Sequence, residues 1–345
     1  MTKRTTTKKT TRKSTSTKPK FDVYQSVTDK LAEMLETCTD PWKRPWKTTG
    51  LYAGTPINVV SRKPYRGINV VILMSAGFNS GEWATFDQWK KKGGEERDEE
   101  GNVVKQGTMH VRKGEKGTQI VCAKKFERDK DNPDDKGGFM MRSYTVFNAE
   151  QVEGYTPKVV ETPALVERSP RVTEFLRHML ANYQEGSDSA YYSPTYDHIR
   201  MPKPEQFIDT AHGTAIEHFH STQLHEYIHW TGQKDRMNRD HTGRFGSEDY
   251  AYEELIAELG SAFLCSYLGV SATVREDHAI YLKSWLKAMK GDKKFFFKAA
   301  SEAQKAVDFM IAKQPAGDLE IDDDGDFEID IEVKPEAAEV ADMAA

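Results

Sequence analysis

The stretch His225-Glu226-Tyr227-Ile228-His229 decides how the second half of this 345-residue chain reads. Its histidines stand four apart. On an α-helix, positions i and i+4 share one face about one turn apart, so both imidazoles can meet a single metal ion. Glu226, one position along, can then reach a water bound to that metal. Zinc lowers the pKa of such a water toward neutrality, and a carboxylate can take its proton and pass it to a leaving amine. His225 and His229 are therefore candidate metal ligands, and Glu226 is the candidate catalytic base. Zn2+ is the expected ion, with another divalent metal left open.

Outward from this motif, the run Tyr252-Glu253-Glu254-Leu255-Ile256-Ala257-Glu258-Leu259-Gly260 supplies two more carboxylates on one helical face, Glu254 and Glu258. Ala, Leu and Ile fill the gaps, so the helix is expected to be largely buried, and buried carboxylates need partners. A glutamate ligand followed one turn later by an acid that orients a histidine is the arrangement of the gluzincin peptidases. Glu254 is expected as third ligand and Glu258 as the orienting acid. An exchange of their roles stays open, with Glu253 a weaker alternative. His218 and His220 are alternative ligands. His278, or Tyr191 or Tyr192, could donate a hydrogen bond to a transition-state oxyanion. The run Tyr196 to Arg200 reads as a strand that could line a cleft edge and pair with an extended peptide.

Periodicity places further helices over residues 171–183, 217–231, 249–268, 276–290 and 293–313, with 190–201 extended. The first half is mixed. Val23, Val27, Leu31 and Leu35 mark a helix over 21–38. Ile68–Met74 is an apolar run of strand or buried-helix type. Trp83–Lys92 reads as helical. Thr118–Ala123 and Arg142–Phe147 read as strands joined by a polar loop. The fold class is α+β.

Net charge is −5, from 49 Lys+Arg against 54 Asp+Glu, and it conceals an asymmetry. Residues 1–20 hold eight basic residues and no acid, whereas 318–342 hold twelve acids and one lysine. Neither end has the apolar surface to offset its ordering entropy, so both read as disordered tails. The basic arm suits a polyanion or simple solubilisation. The acidic tail begins like a calcium loop at Glu320, Asp322, Asp324 and Gly325, but Ile331 stands where a bidentate glutamate is needed, which excludes that reading. Three scattered cysteines exclude a disulfide scaffold and suit a reducing cytoplasm. No apolar run is long enough to span a bilayer, and the basic leader lacks the apolar core of a signal peptide, so no membrane partner is expected.

Aromatic and basic residues suggest contacts to single-stranded nucleic acid, where bases stack on rings and cations hold phosphates. The candidates are Trp42, Trp46, Arg62, Lys63, Tyr65, Arg66, Asn69, Arg112, Lys113 and Lys116. Each has a bland alternative. The rings could belong to the core, the cations to solvated loops, and Asn58 and Asn69 to buried hydrogen bonds.

Beyond these readings, the chain resembles the ArdC-type antirestriction proteins of plasmids and phages. The resemblance rests on Pro56-Ile57-Asn58, Lys63-Pro64-Tyr65-Arg66-Gly67-Ile68-Asn69, Trp83 to Trp89, Val111 to Gly117, and Tyr144 to Asn148 with Gln151. In the second half it rests on Tyr196 to Pro202, on His225 to Gly232 with Arg236 and Arg239, on Glu253 to Cys265, and on Tyr281 to Lys290. It spans about residues 21–313 and leaves out both tails. It implies an N-terminal single-stranded-DNA-binding domain over 21–153, related to the front of TraC primases. A linker over 154–169 and a mostly helical, zincin-like metallopeptidase domain over 170–314 would follow, with tails at 1–20 and 315–345. It also implies protection of incoming DNA from host restriction. Three functions stand as alternatives: a DNA-coating protein whose zincin-like domain is a scaffold, a zinc protease that cleaves a host restriction or defence protein, and a TraC-like primase accessory factor.

Overall fold

The structure, a computed structural model, describes residues 22–37, 55–98, 102–105, 107–126, 138–157, 165–210, 213–239, 247–270 and 279–315. The candidates Trp42, Trp46 and His278, both tails, and most of the loop between the two predicted strands lie outside them.

The first half builds a four-stranded sheet flanked by short helices. Its elements are α1 (Val23–Thr37), β1 (Ile57–Asn58), α2 (Ile68–Met74), β2 (Glu82–Thr85), α3 (Phe86–Lys92), β3 (Glu96–Arg97), β4 (Val103–Lys105), β5 (His110–Val111), β6 (Thr118–Phe126), β7 (Gly138–Asn148) and β8 (Val152–Glu153). Strand order is β1-β2-β7-β6, with β1 and β2 parallel and the other neighbours antiparallel. Small two-stranded ladders pair β3 with β4 and β5 with β8.

The apolar run Ile68–Met74 is a helix buried on all sides, which is why it shows no amphipathic period. The helix expected from Trp83 instead begins at Phe86. Thr85 stops the strand by capping: its hydroxyl accepts from the Gln88 amide at 3.3 Å, and the Gln88 side chain accepts from the Thr85 amide at 3.0 Å. This reciprocal box fixes a helix start whatever the residues before it prefer.

The second half contains α4 (Leu165–Arg177), β9 (Asn182–Glu185), β10 (Tyr191–Ser193), β11 (His198–Met201), α5 (Ala215–Thr231), α6 (Glu248–Leu268), α7 (Ala279–Gly291) and α8 (Phe295–Ile311). Residues 165–169, read from sequence as linker, thus belong to α4. That helix stops at Arg177 rather than Tyr183, because Leu180 turns into the left-handed region (φ 53°) and Asn182–Glu185 pair with β11. The three-stranded sheet runs β10-β11-β9. Strand β11 is therefore central, with both edges hydrogen-bonded, and it cannot accept an extended peptide as expected; β10 and β9 hold the edges.

The two halves share one core. Val27, Leu31 and Leu35 of α1 and Val70, Val71 and Ile72 of α2 belong to the same buried cluster as Leu255, Leu264, Trp285, Phe296 and Val307. Polar contacts cross the same boundary. The Thr28 hydroxyl donates to the Lys293 carbonyl at 2.7 Å, the Gly67 amide donates to the Gln304 side chain at 3.0 Å, and Arg66 pairs with Asp308. Two smaller clusters fill the N-terminal half, one around Trp89 and one around Trp83.

Candidate metal centre

Helix α5 starts at a capping box. The Thr214 hydroxyl accepts from the Glu217 amide at 3.4 Å, while the Glu217 carboxylate accepts from the Thr214 amide at 3.0 Å. The helix then runs through the core, with every residue from Phe219 to Thr231 buried. Helix α6 starts at Ser247, whose hydroxyl accepts from the Tyr250 amide at 3.2 Å. It packs on α5 across Gly260, where an added Cβ would stand 2.8 Å from Ile228 Cδ1. Ile228 lies between Glu226 and His229, so this glycine lets the carboxylates of α6 reach the histidines of α5. A glycine in mid-helix costs about 1 kcal/mol relative to alanine, and close helix approach offsets that cost here.

The Nε2 atoms of His225 and His229 lie 3.1 Å apart. Glu254 Oε2 is 3.4 Å from His225 Nε2, and Glu254 Oε1 is 3.4 Å from His229 Nε2. The three residues form a group able to hold a metal ion. Tetrahedral ligands about 2.0–2.1 Å from zinc stand about 3.3 Å apart, so this triangle fits a divalent cation with one coordination position left over. The other ring nitrogens face carboxylates: His225 Nδ1 is 2.9 Å from Glu258 Oε1, and His229 Nδ1 is 3.2 Å from Glu253 Oε1. A proton held at Nδ1 leaves the Nε2 lone pair pointing at the shared centre.

Charge agrees with this geometry. Burial works against a charged His229 ring, but Glu254 and Glu253 outweigh it and lift its pKa to about 10. Burial also opposes ionisation of Glu253, yet His229 and Arg239 pull it down to about 2. Glu254 is held far below the usual carboxylate range, against its burial, by His229 and His225. Three buried carboxylates, Glu253, Glu254 and Glu258, thus face two imidazoles, and the surroundings favour positive charge at the centre.

Glu253 faces His229 Nδ1 and lies outside the group of three able to hold a metal ion. The sequence signal for it was its position beside the pair Glu254 and Glu258 on a helix buried all round. Tyr250 was missed. Its phenol hydrogen-bonds Glu254, and burial, Glu254 and Tyr281 together push its pKa far up, which keeps it a donor. Tyr192, a candidate transition-state donor, is held in a brace. It donates to Asp197 Oδ1 at 2.9 Å and accepts from Arg236, which also pairs with Asp197 and lies 4.1 Å over the Trp230 ring. Tyr191 is exposed at the sheet edge. His218 faces the Thr210 hydroxyl at 2.8 Å and His220 faces Gln223 at 3.1 Å, so neither joins the metal group.

The nucleic-acid candidates divide. Tyr65 is 2% exposed, with its hydroxyl 3.3 Å from the Asn58 side chain, so its ring belongs to the core and offers no stacking face. Asn69 is also buried. Its amide donates to the Val121 carbonyl at 2.7 Å and accepts from the Val121 amide at 2.9 Å, splicing α2 to β6. Arg66 is tied to Asp308 of α8. Arg62 is half-exposed with Glu82 at 3.3 Å, and Arg112 pairs with Glu115 at 2.7 Å while keeping about half its side-chain surface open. Lys63, Lys113 and Lys116 are exposed.

Comparison with known proteins agrees with both halves. Residues 21–147 match the family described as the N-terminal domain of anti-restriction factor ArdC, and residues 170–302 match the zincin-like metallopeptidase family. The crystal structure of the antirestriction ArdC protein from plasmid R388 in its metal-free form superposes with a TM-score of 0.65 at 34% identity, covering 85% of this chain and 98% of that one. This chain belongs to the ArdC antirestriction family. The Mn(II)-bound structure of the same R388 protein gives a TM-score of 0.64 at 35% identity, with 85% and 98% covered. Among other relatives, the uncharacterised protein y4eC of Sinorhizobium fredii is 36% identical over 305 residues, covering 85% of this chain and 92% of that one. DNA primase TraC of Escherichia coli is 32% identical over 315 residues, which are 85% of this chain but 20% of the primase. No helix among the described residues is long and apolar enough to cross a membrane.

Proposed function

We propose that this family member binds single-stranded DNA through the exposed cations of its N-terminal half and protects incoming DNA from host restriction in the bacterial cytoplasm. The same chain would carry a divalent metal centre on α5 and α6. The observation that supports the metal centre is the convergence of His225 Nε2, His229 Nε2 and Glu254 on one point, each histidine backed by a carboxylate. His225, His229 and Glu254 would hold the ion, zinc by the balance of nitrogen and oxygen donors, and manganese is also an admissible occupant given the Mn(II)-bound R388 protein. Lys63, Lys113 and Lys116, with the open faces of Arg62 and Arg112, supply the charge that follows a phosphate backbone. Filter binding over a salt series tests the DNA half. Affinity should favour single strands over duplex and fall as salt rises; Lys113→Ala with Lys116→Ala should shallow the slope of log affinity by about 1.4. A salt-independent affinity, or equal binding of duplex, rejects it.

The second reading is a metallopeptidase acting on a host defence protein. It is favoured by Glu226, buried at 3% exposure on the same helix and one position from His225. A metal ion in such a centre polarises a carbonyl and acidifies a bound water. In that chemistry Glu226 would accept a proton, and the Tyr250 phenol would be a hydrogen-bond donor at the Glu254 side of the site. Glu226→Gln should keep metal content and DNA affinity. Protection from restriction that survives this change excludes proteolysis as the mechanism.

A further inference from the structure

We infer that Arg239 is a positioning residue for the metal centre, acting through Glu253 on the second histidine. The inference rests on the metal-centre reading above. Arg239 sits past the end of α5, in the loop that leaves the metal helix, and its side chain is 6% exposed. Its guanidinium grips Glu253 with two bonds, Nε to Oε2 at 3.0 Å and Nη2 to Oε1 at 2.9 Å. The same Oε1 faces His229 Nδ1 at 3.2 Å. Arg239 also reaches back to α5, donating to the Ile228 carbonyl at 2.7 Å and to the Thr231 hydroxyl at 2.8 Å, while its amide donates to the Gly232 carbonyl at 2.8 Å.

One side chain thus ties the last turn of α5 to the carboxylate on α6 that sets the second imidazole. The two histidines are supported differently. His225 leans on Glu258, an acid one helical turn from Glu254 on the same element. His229 leans on an acid that is itself held by an arginine from outside both helices. A carboxylate clamped in a planar bidentate pair has its second oxygen edge aimed by the clamp, so the His229 ring inherits its orientation from Arg239. Neutralisation matters as well: Glu253 is one of three buried carboxylates against the two histidines, and Arg239 pairs with it.

The test uses the full chain and metal alone. Zn2+ and Mn2+ affinity is measured by competition with a chelating dye for wild type, Arg239→Gln, Arg239→Lys, Glu253→Gln and the Arg239→Gln/Glu253→Gln double variant. Circular dichroism of each chelator-treated chain checks the fold. Loss of an outer partner of a metal-bound histidine lowers affinity about 10- to 100-fold. Arg239→Gln and Glu253→Gln should each fall in that range, and the double variant should lose no more than the weaker single one, as links of one relay must. Arg239→Lys should recover only part, since an ammonium cannot hold both oxygens in a plane. Multiplying losses in the double variant mean two independent structural roles and overturn the inference, as does wild-type affinity in Arg239→Gln. Should Arg239→Gln fail to fold, wild-type affinity in Glu253→Gln overturns it equally. A wild-type chain that takes up neither ion refutes the metal centre itself, which is a different result.

Discussion

Gly260→Ala is the sharpest probe of how the site is assembled, since it adds one methyl group and touches no ligand. The new Cβ would stand 2.8 Å from Cδ1, 2.9 Å from Cγ1 and 3.1 Å from Cγ2 of Ile228. Carbon atoms rest about 3.5–4.0 Å apart, so α5 and α6 must separate by roughly 0.5–1 Å. Ile228 is fully buried and has little room to rotate away. Overpacking of this kind costs about 1–3 kcal/mol, and the better helix propensity of alanine returns about 1, leaving a net loss of about 0–2 kcal/mol. The metal triangle is less forgiving. Its edges are 3.1–3.4 Å, and good coordination tolerates errors of about 0.2 Å. Zn2+ affinity should therefore fall at least tenfold, about 1.4 kcal/mol, while the chelator-treated protein melts only slightly lower. Ile228→Ala deletes all three crowded atoms, so the double variant should bind metal better than Gly260→Ala alone despite a larger cavity. Titration with a competing dye, beside melting curves with and without metal, reads both quantities. Wild-type affinity in Gly260→Ala would refute the view that close approach of these helices sets the ligand geometry.

Glu258→Ala removes the carboxylate 2.9 Å from His225 Nδ1 and should cost about 10- to 100-fold in metal affinity, measured by the same titration; an unchanged value would separate Glu258 from the site. Asn69→Ala strips the Val121 amide and carbonyl of their buried partner and should destabilise the chain by about 2–4 kcal/mol in urea melts, whereas Tyr65→Phe should leave single-stranded DNA affinity unchanged. His229, raised to about 10, is protonated at pH 8 in the chelator-treated protein and must be neutral to bind metal. Metal uptake at pH 8 should therefore release close to one proton, visible as a heat that varies with buffer ionisation enthalpy, and apparent affinity should rise with pH up to about 10. The sign for the metal-free fold is opposite: a raised histidine pKa contributes stability in full below about 6.5, and that contribution is lost as pH rises through about 10.

Several elements are legible in the sequence, and each has a local cause. The spacing of His225 and His229 needs nothing beyond helical geometry, and so does the pairing of Glu254 with Glu258. The α+β class follows from apolar patterning, and so do Thr118–Ala123 and Arg142–Phe147 as strands, which the structure extends to Phe126 in β6 and over Gly138–Asn148 in β7. Where a cap intervened, the pattern misled. Thr85 and Gln88 end a strand and open a helix within residues that look uniformly helical. Strand β11 reads as a cleft-edge strand open to a peptide but is central, since a strand's sequence reports which faces are buried and not how many neighbours pair.

The nucleic-acid candidates show the same division. An aromatic beside a cation looks alike whether it stacks on a base or on the protein's own core, so Tyr65 and Asn69 could be assigned only once their surroundings were known. Local order in the chain was enough to bring the two histidines to one face of α5 and the carboxylates Glu254 and Glu258 to one face of α6, because each pair lies within a single helix. The packing of α6 on α5 across Gly260, the grip of Arg239 on Glu253 and the hold of Arg66 on α8 join residues distant in sequence. Those depend on which surfaces meet, and a one-dimensional pattern carries no record of that.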